Sequence, residues 1–384
     1  LDTLADVGQL IRERGSDLNR ILHQRLFEAI PEARNLFRED LTGAHVDLPR
    51  ALGWVLERSL IDEPLSLELT ARIQGMGVDH RRHGFPSETY DLFGLLLGDA
   101  IAETIGDDLP AARVDAAMTV VGRICSEMSA GAAEADAQGV PPANAAQVTA
   151  VEHAADGVNV IQLEAGMPVD YEAGQQVPVM PMQRRGEWLN LAPAVPPNRF
   201  GQLELHVPDD IPVEQGEYWT LGAARGDVSL DPARDALLVG VGRGVAAVKA
   251  LVFNLLEQAE RPKVHAVLAA ERSTQLYEVG TFAALATTQD WLTVTPVVES
   301  VDSVDFVDAE SKDARAAELT PVALPVTLVV SGVGMFWGRQ IILCGPEEAT
   351  TAIKDALLKA GAEEADIQLV TPTGPDQWPT PEQP

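Results

Sequence analysis

Met76-Gly77-Val78-Asp79-His80-Arg81-Arg82-His83-Gly84-Phe85-Pro86-Ser87-Glu88-Thr89-Tyr90 is the stretch on which the reading of this chain turns. It sets a histidine just before a helix break and a tyrosine ten residues later, with Pro86 and Ser87 between them as a start signal for the next helix. That is a way to hold an axial haem ligand. His80 would face an iron from the end of one helix, and the phenol of Tyr90 would reach its far ring nitrogen and fix the tautomer. Taken alone, a histidine-rich polar turn is usually just a solvated turn, so the neighbouring segments decide.

Upstream, residues 2–43 carry a helical pattern, with Leu18, Ile21, Leu22 and Leu26 on one stripe. Pro31 stops that helix before a short second piece that ends at Phe37. His23 shares an apolar face with Leu26, Phe27 and Ile30, where an imidazole is costly unless it finds a partner. Further helices are predicted at Leu48–Ser59, Leu65–Met76, Thr89–Ile105 and Ala111–Ala137. An all-helical segment of this length with one strong axial candidate is compatible with a globin.

With those residues in place, the segment resembles the globin half of the flavohaemoglobins, proteins that join a globin to a flavin and nicotinamide reductase. Phe27 and Phe37, with Pro31-Glu32 between them, resemble that family's run from the distal helix to the phenylalanine wedged against the haem. The stretch from Gly77 to Tyr90 resembles its proximal turn almost position by position. The resemblance implies haem b, His80 as the iron ligand, Tyr90 as its orienting partner, and a distal pocket of His23, Phe37 and Leu52. Two departures stand out. The family usually has a distal tyrosine where His23 falls, and a proximal glutamate where Gly131 falls. Glu134, about one turn beyond Gly131, is either a replacement partner for Tyr90 or a solvated residue at a helix end.

The stretch from Ala137 to Gln147, with Gly139, Pro141 and Pro142, reads as a linker. Beyond it the period changes to two, with strands predicted at 147–153, 158–164, 171–179, 187–192, 202–207 and 217–221. These favour a small antiparallel β-barrel, which resembles the flavin-binding domain of the ferredoxin-reductase-like proteins. The functional letters differ from that pattern. Leu189-Asn190-Leu191-Ala192 stands where the family reads flavin with Arg-x-Tyr-Ser. The interval Val207–Gly216, with Asp209 and Asp210, replaces the short helix that caps the flavin pyrophosphate. Arg184, Arg185 and Arg199 are candidate replacement charges, so FAD binding is open and no flavin residues are assigned.

A third segment opens with the strand Asp235–Val239, then Gly240-Val241-Gly242-Arg243-Gly244 and a helix from Val245. A glycine turn between strand and helix lets backbone N–H groups approach a phosphate, although tight turns want glycine anyway. Leu343-Cys344-Gly345-Pro346 opening a later helix resembles the motif that sets a cysteine beside the nicotinamide in these reductases. Gly240, Gly242, Gly244, Cys344, Gly345 and Pro346 are therefore the candidate NAD(P)H site, with a buried small hydrophobe as the plainer role for Cys344. Alternating strands and helices imply an α/β doubly wound sheet. The expected organisation is multidomain: an all-α globin at 1–140, the barrel at 141–231, the nucleotide-binding domain at 232–370, and a disordered tail at 371–384.

Composition excludes several other classes. With 384 residues, 58 of them acidic against 28 basic, the net charge of -30 steers nucleic acid and anionic membranes away. Cys125 and Cys344 have no metal-ligand or disulfide spacing, which suits a reducing cytoplasm. The longest apolar run, Ala236 to Leu256, is interrupted by Arg243 and Lys249, and no signal-peptide pattern opens the sequence. In the family resembled, nicotinamide passes a hydride to FAD, the flavin passes single electrons to haem, and nitric oxide with oxygen becomes nitrate. The alternative is a haem-binding globin sensor or carrier whose reductase half serves as a scaffold, the apolar Leu189–Ala192 having filled an empty flavin site.

Overall fold

A computed structural model describes residues 3–37, 48–61, 63–300, 319–334 and 336–371. The chain divides into two compact units. Among the described residues, one comprises those up to Ala143 with Arg184–Glu187, and the other comprises Asn144–Gln183 and those from Trp188 to Thr371. The expected tail, apart from Thr371, lies outside the described residues.

The first unit is helical: α1 (Ala5–Glu13), α2 (Gly15–Ala29), a 3-10 turn (Pro31–Leu36), α3 (Leu48–Arg58), α4 (Leu67–His80), α5 (Thr89–Ile105) and α6 (Ala111–Ala137). Pro31 ends α2 and sits in the first turn of the 3-10 piece, where its missing N–H costs nothing. Ser66 caps α4 by accepting from the Leu69 N–H. Leu18, Leu22, Leu56, Ile73, Ile101 and Val121 close the core with almost no exposure. α4 runs past the expected end at Met76 to His80, and a 3-10 turn at Arg81–His83 then leads to Gly84 at φ 73°. That left-handed glycine is the actual stop.

α4 and α6 pack backbone against backbone. A Cβ on Gly77 would lie 2.0 Å from the Met128 carbonyl oxygen, and one on Gly131 would lie 2.3 Å from that of Gln74. Neither position has room for any side chain, so the glycine at 131 is a packing requirement of this crossing.

The second unit holds two six-stranded sheets. Strands β1 (Asn144–Ala155), β2 (Val158–Ala165), β3 (Val177–Met180), β4 (Leu189–Leu191), β5 (Gln202–Val207) and β6 (Tyr218–Leu221) lie in the order β4-β3-β6-β1-β2-β5 with antiparallel pairing. Asp156-Gly157, with Gly157 at φ 81°, joins the long β1–β2 hairpin. A bridge between Pro193 and Leu205 links the chain beyond β4 to β5 and closes the barrel around Val148, Ile161, Val177, Leu205 and Trp219.

The other sheet contains β7 (Ala236–Val241), β8 (Val264–Arg272), β9 (Leu292–Ser300), β10 (Val322–Ala323), β11 (Gln340–Cys344) and β12 (Ile367–Val370). Its order is β10-β9-β8-β7-β11-β12, and every pair is parallel. α7 (Val245–Leu256), α8 (Val279–Ala286), α9 (Val326–Gly332) and α10 (Glu347–Lys359) complete it. The central strands are apolar throughout because successive side chains enter two separate cores, with Leu238 and Ile342 in one and Leu237, Val239, Ile341 and Leu343 in the other. Among the described residues, no helix is long and apolar enough to cross a membrane.

Candidate functional site

His80 is the last residue of α4, and its Nδ1 lies 2.8 Å from the carbonyl oxygen of Met76, one turn back. The ring N–H donates there, so Nε2 is the nitrogen that carries the lone pair. The side chain is 42% exposed, so the ring lies at an open face rather than in the core. The sequence reading gave the task of fixing this tautomer to Tyr90. The structure gives it to Met76. Tyr90 is instead buried, with its ring edge-on to Phe85, and its phenol donates to no described group. Burial, and then the neighbouring Cys125 and Asp79, push its ionisation far above the usual phenol range.

The proposed carboxylate partner of Tyr90 also changes. Glu134 is exposed on α6, and its Oε1 accepts from Gln138 Nε2 at 2.7 Å. It is the solvated residue at a helix end. On the other candidate face, His23 is buried, 5.7 Å from Phe27 in a parallel stack and 5.5 Å from Phe37. Desolvation lowers its ionisation, so the imidazole is neutral and can either donate one hydrogen bond or ligate a metal. Leu52 is buried on α3 in the core shared with Ile21 and Leu22. The donor set is of the kind a haem takes: His80, with its Nδ1 held by Met76, would offer its other ring nitrogen to an iron, and neutral His23 with Phe27 and Phe37 forms an aromatic cluster.

The barrel does not offer an ordinary flavin site. Leu189 and Leu191 pack their side chains against the barrel core. No described element between Val207 and Tyr218 is a helix, and Asp209 there accepts from the Gly157 N–H at 2.9 Å. Two of the three candidate replacement cations are engaged otherwise, Arg184 reaching Glu187 at 3.1 Å and Arg199 lying over the Phe200 ring, while Arg185 is exposed. Charge, stacking ring and pyrophosphate cap are all missing from the positions that would supply them.

In the α/β half, the two glycine motifs meet each other. A Cβ on Gly244 would lie 2.1 Å from the Cys344 carbonyl oxygen, and one on Gly345 would lie 2.8 Å from that of Val241. Gly240 packs as tightly on Val245. Gly242, at φ 53° with open space around it, is the position of this turn that a ligand can approach. Pro346 leads into α10. The Cys344 side chain is fully buried in the apolar core, and burial pushes its thiol far up, which is the plainer of the two roles read from the sequence.

One cluster was missed by the sequence reading. On the outer face of β5, His206 Nε2 donates to Glu204 Oε1 at 3.0 Å while its Nδ1 accepts from Tyr277 Oη at 2.8 Å. Lys249 Nζ, on α7, donates to Glu204 at 2.7 Å and to Glu278 at 2.6 Å. Glu278 is the one described non-glycine residue with positive φ, at 61°. Burial alone would raise the Glu204 carboxyl, but hydrogen bonds from His206 and Lys249 outweigh it and bring it down to about 2. Glu204, His206 and Glu278 place ligand atoms within 4.8 Å of one another, as a metal would need, but the Lys249 ammonium already sits between the carboxylates as the cation. Polar residues at i and i+2 of β5, and a lone lysine inside an apolar helix, were the available signals.

The fold is thus a globin unit together with a barrel and a doubly wound sheet of ferredoxin-reductase type. Over 96% of each chain it matches the flavohaemoglobin of Malassezia yamatoensis, solved with FAD and haem bound, at a TM-score of 0.69 and 17% identity. An Amycolatopsis cytochrome P450 reductase matches over 60% of this chain and 69% of its own, at 0.51 and 21% identity. The ferredoxin reductase of carbazole 1,9a-dioxygenase matches over the same shares at 0.50 and 16%. No family model and no curated protein matches the sequence.

Proposed function

We propose that this chain is a haem protein built on an electron-transfer architecture, with His80 as the iron ligand and oxygen and nitric oxide as its small ligands. The observation that carries the reading is the His80 ring, fixed through Nδ1 by Met76 at the end of α4, in a side chain that is 42% exposed. Bound haem would supply reversible ligand binding and one-electron redox chemistry. The chain's own residues would hold the axial imidazole, present neutral His23 to a ligand, and wall the pocket with Phe27 and Phe37. The likeness to a flavohaemoglobin fold supports the finer activity, nitric oxide dioxygenation driven by NAD(P)H.

A second reading has its own observation. Leu189 and Leu191 fill the barrel face where flavin donors belong, which favours a gas-binding globin whose reductase half is a scaffold. One experiment separates the two: quantify haem and flavin in the purified chain, and again after adding FAD. Haem with flavin, and nitric oxide consumption with NAD(P)H, supports the enzyme. Haem alone supports the scaffold reading. His80→Ala is expected to abolish haem retention, and unchanged haem content in that variant refutes the ligand assignment.

A further inference from the structure

Directly before the candidate ligand stands Asp79, whose Oδ2 lies 4.0 Å from His80 Nδ1. Its carboxylate is largely sheltered, with a side chain 20% exposed, and it is close enough to Tyr90 to act on the phenol electrostatically. The same Oδ2 is ion-paired with Arg82, one turn on, whose guanidinium also donates to the Asp79 carbonyl oxygen at 3.3 Å. The His80 ring therefore has a carbonyl acceptor on its Nδ1–H, a carboxylate next to that bond, and a guanidinium that partly cancels the carboxylate.

We propose that Asp79 and Arg82 form a charge pair that sets the electron-donating strength of His80 toward a bound iron, with Asp79 strengthening it and Arg82 holding it back. When Nε2 donates to a metal, positive charge builds up on the Nδ1–H side of the ring, and an anion beside that side stabilises it. Gly131 has no room for a side chain, so α6 supplies no carboxylate at that position. Asp79 reaches the ring from the ligand's own helix. It is a positioning residue that acts through His80, and the inference rests on the haem reading given above.

The test uses full-length chain loaded with haem: wild type, Asp79→Asn and Arg82→Gln. Haem stoichiometry is measured first, then the iron–histidine stretching band of the ferrous form and the haem midpoint potential. Asp79→Asn is expected to lower the band and raise the midpoint, shifting the ferric-to-ferrous ratio at a fixed poise several-fold toward ferrous. Arg82→Gln is expected to move both the other way, because it uncovers the carboxylate. A purely structural role for the pair would disturb both variants in the same direction, and that outcome overturns the proposal. Normal haem content with no shift in either variant overturns it as well and leaves the ligand assignment intact. A wild-type chain that takes up no haem overturns both readings.

Discussion

Replacing Gly77 with alanine tests the backbone crossing that places His80. The new Cβ would sit 2.0 Å from the Met128 carbonyl oxygen, and 2.7 and 2.8 Å from the carbonyl carbon and Cα of the same residue. A comfortable carbon-to-oxygen contact is about 3.3 Å, so α4 and α6 must part by about 1 Å. The obstacle is main chain on a 27-residue helix, which has no rotamer to change. Overpacking of this kind costs about 3 kcal/mol, and the better helix propensity of alanine returns about 1, for a net loss of about 2 kcal/mol. Gly75, two residues earlier in the same helix, is the control. Its Cβ would meet nothing within 4 Å, so Gly75→Ala gains about 1 kcal/mol. Amide hydrogen exchange along α4 and α6 reads this unit within the full chain. Protection should fall about 30-fold in Gly77→Ala and rise about fivefold in Gly75→Ala. Equal behaviour of the two variants would refute the close crossing, and with it the explanation for glycine at 131.

Further outcomes follow from buried groups, first those of the second unit. Lys249→Met leaves Glu204 and Glu278 without their cation and should destabilise that unit by about 3–5 kcal/mol, read as lost exchange protection in β5 and α7. Glu204 has a folded-state pKa of about 2 against an ordinary 4.5, so its contribution is fully present above about pH 4.5 and is lost as pH falls toward 2. Acid unfolding of Glu204→Gln should accordingly be flatter across that window, measured by circular dichroism against pH. Cys125, pushed up to about 12 by burial and then by Asp91, and Cys344, fully buried, should both resist a thiol reagent until the chain is denatured. Rapid labelling of either in native protein would contradict those burials.

The order and type of the elements were legible in the sequence because period and punctuation are local. Pro31, Pro86-Ser87 and the glycine turn at 240–244 each mark a boundary within a few residues of the observed one. His80 was legible for the same reason, as a histidine at a helix end ten residues before a tyrosine. Its partner was not. Spacing favoured Tyr90, whereas a helix carries each side chain back toward the carbonyl one turn earlier, and Met76 took the ring N–H. Gly131 and Gly244 read as a lost carboxylate and a phosphate turn until the main chains of Gln74 and Cys344 were found against them. Lys249, Glu204, His206, Tyr277 and Glu278 come from three separate places along the chain, and no local pattern could join them. By itself the sequence determined which segments are helix or strand and that His80 stands beside a helix break. Only the tertiary structure decided what each glycine and each buried charge faces, because close approach and desolvation arise between segments and not within them.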